Sequence, residues 1–152
     1  PKPLDRGDHR VSPIATAEGV AEMVQEHPAR VPFMDALALM ANADGLLLLG
    51  SDERHYTASK IYPALMSGRP FLSLFHQESS SHQILTLAGG GVSHSFSSVA
   101  ELSQMEDAVA ATLERFGERS IRLPAADPAA YEPYTANAVS GQFARVFDLA
   151  LR

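Results

Sequence analysis

The sequence predicts an α/β fold in which helices alternate with the strands of a parallel, doubly wound sheet. Residues 45–50 contain four consecutive leucines after a glycine. An uninterrupted apolar run of this kind is typical of a strand buried on both faces of a parallel sheet. From this strand onward, short apolar runs alternate with segments of helical periodicity, which is the pattern of βαβ units.

Composition argues against several classes of protein. With 152 residues, of which 45% are hydrophobic and 20% charged, the chain is long enough for one domain with its own core. No apolar run approaches the roughly 20 residues of a membrane span. The formal net charge of −6 argues against a nucleic-acid groove, and the absence of cysteine argues against disulfides and thiolate metal sites. A cytoplasmic location is expected. Because the chain does not begin with methionine, we expect it to be a piece of a longer protein.

The N-terminal part carries the weaker signals. Residues 1–15 contain three prolines and no apolar periodicity, which predicts a loop or a frayed end. Residues 16–152 are then predicted to form a single domain. This domain would begin with a helix over 16–27, a short strand over 29–33 and a helix over 34–43.

After the leucine strand, the pattern predicts two more strands and four helices. The strands span 70–75 and 91–96, and the helices span 60–68, 79–91, 105–117 and 135–151. The last helix follows a proline-rich loop, and its spacing predicts one buried face. That face carries Val139, Phe143, Val146 and Phe147.

Polar loops follow the first two strands of the predicted sheet. In open α/β sheets, ligands bind outside the carboxyl ends of the strands, so residues 51–60 and 76–81 are the candidate site. Ser59 is predicted to cap one helix and Ser79 or Ser80 the next. Free N–H groups at these helix starts, together with Lys60, suit a small anionic ligand. The alternative is that the serines are simply caps and the lysine is solvated. The spacing of His55, His76 and His82 matches no common metal motif.

The stretch ANADGLLLLGSDERHYTASKIYPALMSGRPFLSLF, residues 41–75, resembles the C-terminal domain of GT-B glycosyltransferases, in particular the retaining glycosyltransferase family four. The resemblance extends over roughly residues 28–152, and Gly89–Gly91 falls where that family has a glycine turn. The matching positions are Ala43, Asp44, Ser51, Ser59, Lys60, Tyr62, Gly68, Arg69, Pro70 and residues 71–74.

This resemblance implies a Rossmann-like domain that forms the donor-binding, C-terminal half of a GT-B enzyme whose N-terminal part is missing here. The full-length chain would transfer a hexosyl group from a nucleotide-diphosphate sugar, as in polysaccharide biosynthesis, without a further cofactor or a metal. The fragment alone would be inactive, and no catalytic base is assigned because acceptor chemistry belongs largely to the missing domain. The implied donor and phosphate-binding residues are Ser51, His55, Tyr56, Ser59, Lys60, Glu78 and Ser79.

One departure from the family pattern bears on function. The family often carries two glutamates separated by seven positions, which bind the donor sugar and the ribose of the nucleotide. This chain has His55 and Pro63 at those positions, and neither is a carboxylate. Glu78 is the expected substitute. Two alternatives therefore stay open: a non-catalytic or regulatory module that kept the fold, and a nucleotide-sugar epimerase on the same fold.

Overall fold

The computed structural model describes residues 8–118 and 120–151. The chain divides into two compact units, residues 1–36 and residues 37–152, whereas the sequence predicts one domain beginning at residue 16. Of the predicted N-terminal loop over residues 1–15, residues 1–7 lie outside the described residues, and the prediction is wrong for residues 12–15, which are helical.

The first unit differs from the predicted helix over 16–27. Helix α1 spans Ser12–Ala17, with Pro13 in its first turn, and a 3-10 turn spans Ala21–Met23. The helix begins early because proline is tolerated where the N–H group has no intrahelical partner. It ends early because Gly19 adopts a left-handed conformation with φ of 73°.

The predicted strand over 29–33 is wrong, because residues 28–32 form no regular element and helix α2 spans Phe33–Asn42. Two prolines explain the difference. Pro28 and Pro32 have no N–H group to donate to a neighbouring strand, so this short apolar run is a poor partner in a sheet. Helix α2 confirms the helix predicted over residues 34–43, with each end one residue earlier.

A parallel sheet of three strands organises the described part of residues 37–152. Its strands are β1, Leu46–Leu49; β2, Phe71–His76; and β3, Gly91–Phe96. Leu46 pairs with Phe71, and Phe71 pairs with Gly91, so the spatial order is β1-β2-β3. Helix α3 spans Ile61–Met66 and helix α4 spans Ser80–Ala88, each between two strands. The structure therefore confirms the predicted α/β class, the parallel pairing and the alternation of strands with helices.

The first face of the sheet carries the main core. Phe71 and Phe75 are each 1% exposed and pack with apolar side chains from α3 and α4, which contact each other. Two crossovers that advance in the same direction place their helices on the same face. The order of the strands does not reverse within the described residues, so the reversal that defines a doubly wound sheet is not among them. The other core residues are Ala58, Ile61, Leu65, Ile84, Leu85 and Ala88.

A later helix covers part of the second face. Helix α5 spans Val99–Leu102 and helix α6 spans Glu106–Gly117; the sequence predicts only the second of these. Because side chains alternate along a strand, His94 of β3 lies on the face opposite to Phe71. Its Nε2 lies 3.1 Å from Oγ1 of the buried Thr112 in α6. The sheet is thus flanked by helices on both faces.

Strand β1 corrects one prediction. Leu46 and Leu48 pack against the core, but Leu47 and Leu49 on the second face are 56% and 61% exposed. The strand is therefore not buried on both faces. A run of four leucines identifies a strand, but it carries no information about whether a second layer covers the outer face at that position.

The C-terminal helix α7 spans Ala136–Ala150 and follows two 3-10 turns, Pro128–Ala130 and Glu132–Tyr134. Thr135 caps it by accepting from the N–H group of Ala138. The predicted buried face is wrong in this structure: Val139 is half-buried, but Phe143, Val146 and Phe147 are 59%, 59% and 63% exposed. An amphipathic period shows that a helix has an apolar face without supplying the surface that covers it. Within the described ranges, no helix has both the length and the apolar character needed to cross a membrane.

Candidate functional site

Two hydrogen bonds join the loop after β1 to the start of the helix after β2. Thr57 Oγ1 and Ser80 Oγ lie 2.6 Å apart, and the N–H group of Ala58 donates to Ser81 Oγ at 2.8 Å. The second bond is buried, and Ser81 is fully buried. Because β1 and β2 are parallel neighbours, both segments leave the same carboxyl edge of the sheet. The predicted site loops are therefore in contact.

An ion pair also crosses between these segments. Arg54 Nη2 lies 3.0 Å from Glu78 Oε1, and the two side chains are 67% and 42% exposed. Solvent-exposed pairs of this kind contribute little to stability, so the pair is better viewed as an electrostatic feature of the edge than as a structural support. It gives the candidate carboxylate a cationic neighbour that sequence reasoning did not identify.

Helix α4 begins as the sequence predicts. Ser79 is its N-cap, and its Oγ accepts from the N–H group of His82 at 3.0 Å. Ser79 is fully buried, so its hydroxyl serves the helix and is not presented to solvent. By helix geometry, the N–H groups of Ser80 and Ser81 in the first turn have no intrahelical acceptor. The backbone there, and not the Ser79 hydroxyl, is the group that can meet an anion.

Helix α3 begins differently from the prediction. Its N-cap position is Lys60, in a helical conformation and without a side-chain cap, so the prediction that Ser59 caps this helix is wrong. The helix has six residues and includes Tyr62, followed by Pro63 in its first turn, where the missing N–H group has no intrahelical partner to lose. Ser59 and Lys60 form an exposed turn that directly follows the buried Ala58.

His76, the last residue of β2, holds the loop that carries Glu78. Its Nδ1 accepts from the N–H group of Glu78 at 3.1 Å, and its Nε2 lies 3.2 Å from the carbonyl oxygen of Ser97. Since a backbone N–H group can only donate, the proton of the neutral ring is on Nε2, which donates to Ser97. His76 is 3% exposed and both nitrogens are engaged, so it positions the loop and is not a free base.

His82 is a second histidine at this edge. Its Nδ1 is buried without a hydrogen-bond partner among the residues that the structure describes. Burial lowers the pKa of His82, because removing the ring from water disfavours its charged form. His82 is therefore expected to be neutral at physiological pH.

The remaining predicted residues lie on the loop after β1. Ser51 is half-buried and its Oγ accepts from the N–H group of Glu53 at 3.3 Å, while the N–H group of Tyr56 donates to the Glu53 carbonyl at 3.2 Å. His55 and Tyr56 are exposed. The structure thus brings the loop of Ser51, His55, Tyr56, Ser59 and Lys60 to the same edge as Glu78 and Ser79.

Sequence reasoning missed three residues that join the two loops, which are Arg54, Thr57 and Ser81. The sequence indicates only that Arg54, Thr57 and Ser81 lie within the two loops of the predicted site, residues 51–60 and 76–81. Nothing in their spacing indicates which of them meet across the loops, because those contacts depend on the pairing of β1 with β2.

Among residues 8–118 and 120–151, no group of three or more histidine, aspartate or glutamate side chains is arranged to hold a metal ion. Comparison of the chain with family models, with curated proteins and with solved structures finds no match. What the carboxyl edge of the sheet can bind is therefore inferred from the positions and charges of its own residues.

Proposed function

We propose that residues 37–152 are the donor-binding, Rossmann-like half of a GT-B glycosyltransferase, which binds a nucleotide-diphosphate sugar at the carboxyl edge of the sheet. The full-length chain would transfer the hexosyl group to an acceptor in the cytoplasm. The proposal rests on the sequence resemblance and on one structural observation. That observation is the contact of the loop after β1 with the start of α4, through Ala58 and Ser81 and through Thr57 and Ser80.

The charges at this edge suit a diphosphate. Lys60 and Arg54 are exposed cations on the loop after β1, and the start of α4 adds unpaired N–H groups and the positive end of its dipole. Glycosyl transfer leaves negative charge on the departing diphosphate, and fixed donors and cations stabilise that charge as it develops. In this proposal Lys60 and the N–H groups of Ser59 and Lys60 meet the phosphates.

Glu78 is the carboxylate assigned to the sugar or ribose hydroxyls. In the free protein it is paired with Arg54 at 3.0 Å. A bound diphosphate would attract the same guanidinium, because paired N–H donors bind phosphate oxygens as well as carboxylate oxygens. Glu78 would then be available to accept from a hydroxyl group. No residue of this chain is assigned as the catalytic base.

The second candidate is a non-catalytic module with the same fold. Two observations favour it. His55 and Pro63 stand where the resembling family carries its glutamates. The buried Ser79 hydroxyl is used as a helix cap, which removes one of the predicted ligand contacts. This candidate predicts that the edge binds no nucleotide.

Calorimetric titration of the full-length protein with uridine, guanosine and adenosine diphosphates tests the proposal. Replacing Lys60 by alanine should lower the affinity for the nucleotide diphosphate by on the order of 10- to 100-fold. This is the range expected for the loss of one charge-assisted contact. Arg115→Ala on α6 removes an equal charge from an exposed position outside the site and should leave affinity unchanged. Absence of binding at millimolar ligand supports the non-catalytic module instead.

Glu78→Gln separates the sugar contact from the phosphate contact. The variant should weaken binding of the nucleotide sugar, whereas inorganic diphosphate should bind it at least as tightly as it binds the unmodified protein, because the substitution also releases Arg54 from its ion pair. An unchanged or tighter affinity for the nucleotide sugar would show that Glu78 does not contact its hydroxyl groups, and the hydroxyl assignment would then be withdrawn.

A further inference from the structure

A second cleft lies at the opposite, amino edge of the sheet. It has a volume of about 530 Å³. The cleft is bounded by the turn before β2, by Gly90 before β3 and by the segment 121–126 that follows α6. This size falls within the range of roughly 300–1,000 Å³ that small-molecule sites occupy. It is remote from the loops that leave the carboxyl ends of the strands.

The segment that walls this cleft is held at both ends. The N–H group of Ser120 donates to the Arg115 carbonyl at 3.0 Å, and the N–H group of Asp127 donates to the Ala88 carbonyl at 2.8 Å. Between them, Ala126 packs so closely on Gly90 that a Cβ on Gly90 would lie 2.8 Å from the Ala126 nitrogen. Gly90 also has φ of 82°, so only glycine fits this contact. The cleft is therefore preformed.

Of the part of the chain that the structure describes, Arg69 and Arg122 line the cleft and no acidic residue does. Arg69 is anchored: its Nε donates to the Ala41 carbonyl at 2.8 Å and its backbone N–H group to Ser67 Oγ at 3.2 Å. Both terminal amino groups of that guanidinium remain as donors. Within residues 8–118 and 120–151, neither Arg69 nor Arg122 forms an ion pair with an acidic residue. Both guanidinium groups are therefore charged donors in the lining of the cleft.

The rest of the lining is largely apolar. Leu65 and Phe71 lie behind the lining in the core and are only 2% and 1% exposed, so the accessible hydrocarbon comes from the half-buried Pro70, Ile121 and Leu123. The acidic residue that follows the wall, Asp127, is engaged elsewhere, because its Oδ1 accepts from the N–H group of Ala129 at 2.9 Å. One end of a ligand in this cleft would contact the guanidinium groups, and the rest of the ligand would contact apolar side chains.

We propose that this amino-edge cleft binds a small amphipathic anion, with a carboxylate or phosphate head between Arg69 and Arg122 and an apolar body against Pro70, Ile121 and Leu123. Guanidinium groups recognise either oxyanion through paired N–H donors. The apolar wall selects against inorganic ions, which have no body to bury. This site is independent of nucleotide binding at the carboxyl edge.

Amide chemical-shift titration of the full-length protein with phenyl phosphate tests the proposal. The expected shifts cluster at Arg69, Gly90 and residues 121–126. Inorganic phosphate should bind more weakly than phenyl phosphate, and benzyl alcohol, which lacks the anion, should cause no shifts there. Benzoate in place of phenyl phosphate shows whether the head is a carboxylate or a phosphate, and either result fits the site.

Arg122→Gln should weaken phenyl phosphate by about 10-fold or more, as the loss of a charge-assisted contact implies. The exposed Arg115→Gln is the matched control and should not change the affinity. Ala125→Glu, at an exposed position of the wall, introduces a carboxylate and should abolish binding without removing any arginine contact. Equal affinity in the unmodified protein and in both cleft variants would overturn the proposal, as would shifts confined to residues 51–60 and 77–82.

Discussion

The carboxylate of Glu26 completes a helix start that its own sequence leaves uncapped. It accepts from the N–H groups of Ser12, Val11 and Arg10 at 2.9, 3.0 and 2.8 Å, and from the Ser12 hydroxyl at 2.8 Å. Val11 occupies the N-cap position of α1 and has no side-chain oxygen for this purpose. These backbone bonds, with that from Ser12 the largest, hold the pKa of Glu26 well below the usual glutamate value.

This arrangement predicts an acid-sensitive helix start. Because the pKa is lowered on folding, the stabilising contribution is complete above the unfolded value of 4.5 and is lost as the pH falls through the folded pKa. The amide proton shifts of Val11 and Ser12, followed by NMR from pH 7 downward, should therefore titrate with a midpoint well below 4.5. Glu26→Gln should abolish that titration, and Glu22→Gln, at an exposed position, should not. A midpoint at 4.5 in the unmodified protein would contradict the assignment.

The ion pair of Arg54 with Glu78 could not be predicted from the sequence. Arg54 lies in the same polar loop as Asp52 and Glu53, and nothing in the sequence indicates which of these charged residues contacts the next loop. The ion pair with Glu78 exists because the parallel pairing of β1 and β2 brings two loops 24 positions apart to one edge. Such partners become visible only once the register is known. The same reasoning applies to Thr57 with Ser80, which also meet across these loops.

Among the elements, α7 departs most from its sequence prediction. Its periodicity predicted a buried face on which loss of the Phe143 ring would cost about 3–5 kcal/mol, the range for a core aromatic. In the structure Phe143 is 59% exposed and stacks only loosely on Phe147, with ring centroids 6.4 Å apart. The apolar face is real, but the residues that the structure describes leave it in contact with solvent.

Two phenylalanines therefore make a direct comparison of stability. In this chain, Phe143→Ala should change the free energy of unfolding by less than about 1 kcal/mol, as for a surface position. Phe75→Ala, at a position 1% exposed in the core, should cost about 3–5 kcal/mol. Denaturant titration of the two variants measures both values. A large loss at Phe143 would show that α7 is packed against another surface in solution.

The strands were easier to predict than their surroundings. Apolar runs identified β1 and β2, and β3 was identified from Val92 and Phe96 in a short segment after a glycine turn. The exposure of Leu47 and Leu49 could not be predicted, since it depends on which elements lie over the outer face. The strand predicted over 29–33 is absent for a local reason, because Pro28 precedes the segment and Pro32 lies within it, and neither can donate to a neighbouring strand.

For the residues of 37–152 taken together, the location of the candidate site could be predicted but its chemistry could not. Parallel strands place successive loops at one edge, so residues 51–60 and 76–81 had to meet if the strand assignments were correct. Which groups remain free for a ligand depends on hydrogen bonds that no spacing specifies. Ser79 is committed to a cap, whereas Lys60 is exposed in an uncapped turn.

The proposed function requires that a nucleotide diphosphate binds at the carboxyl edge of the sheet. Amide chemical-shift mapping of the full-length protein locates that binding, with the tightest-binding of the three nucleotide diphosphates as the ligand. The largest shifts should fall at Ser59, Lys60, Ser80 and Ser81, with smaller shifts along residues 51–58. Shifts confined to other parts of the chain, or no saturable shift at millimolar ligand, would contradict it.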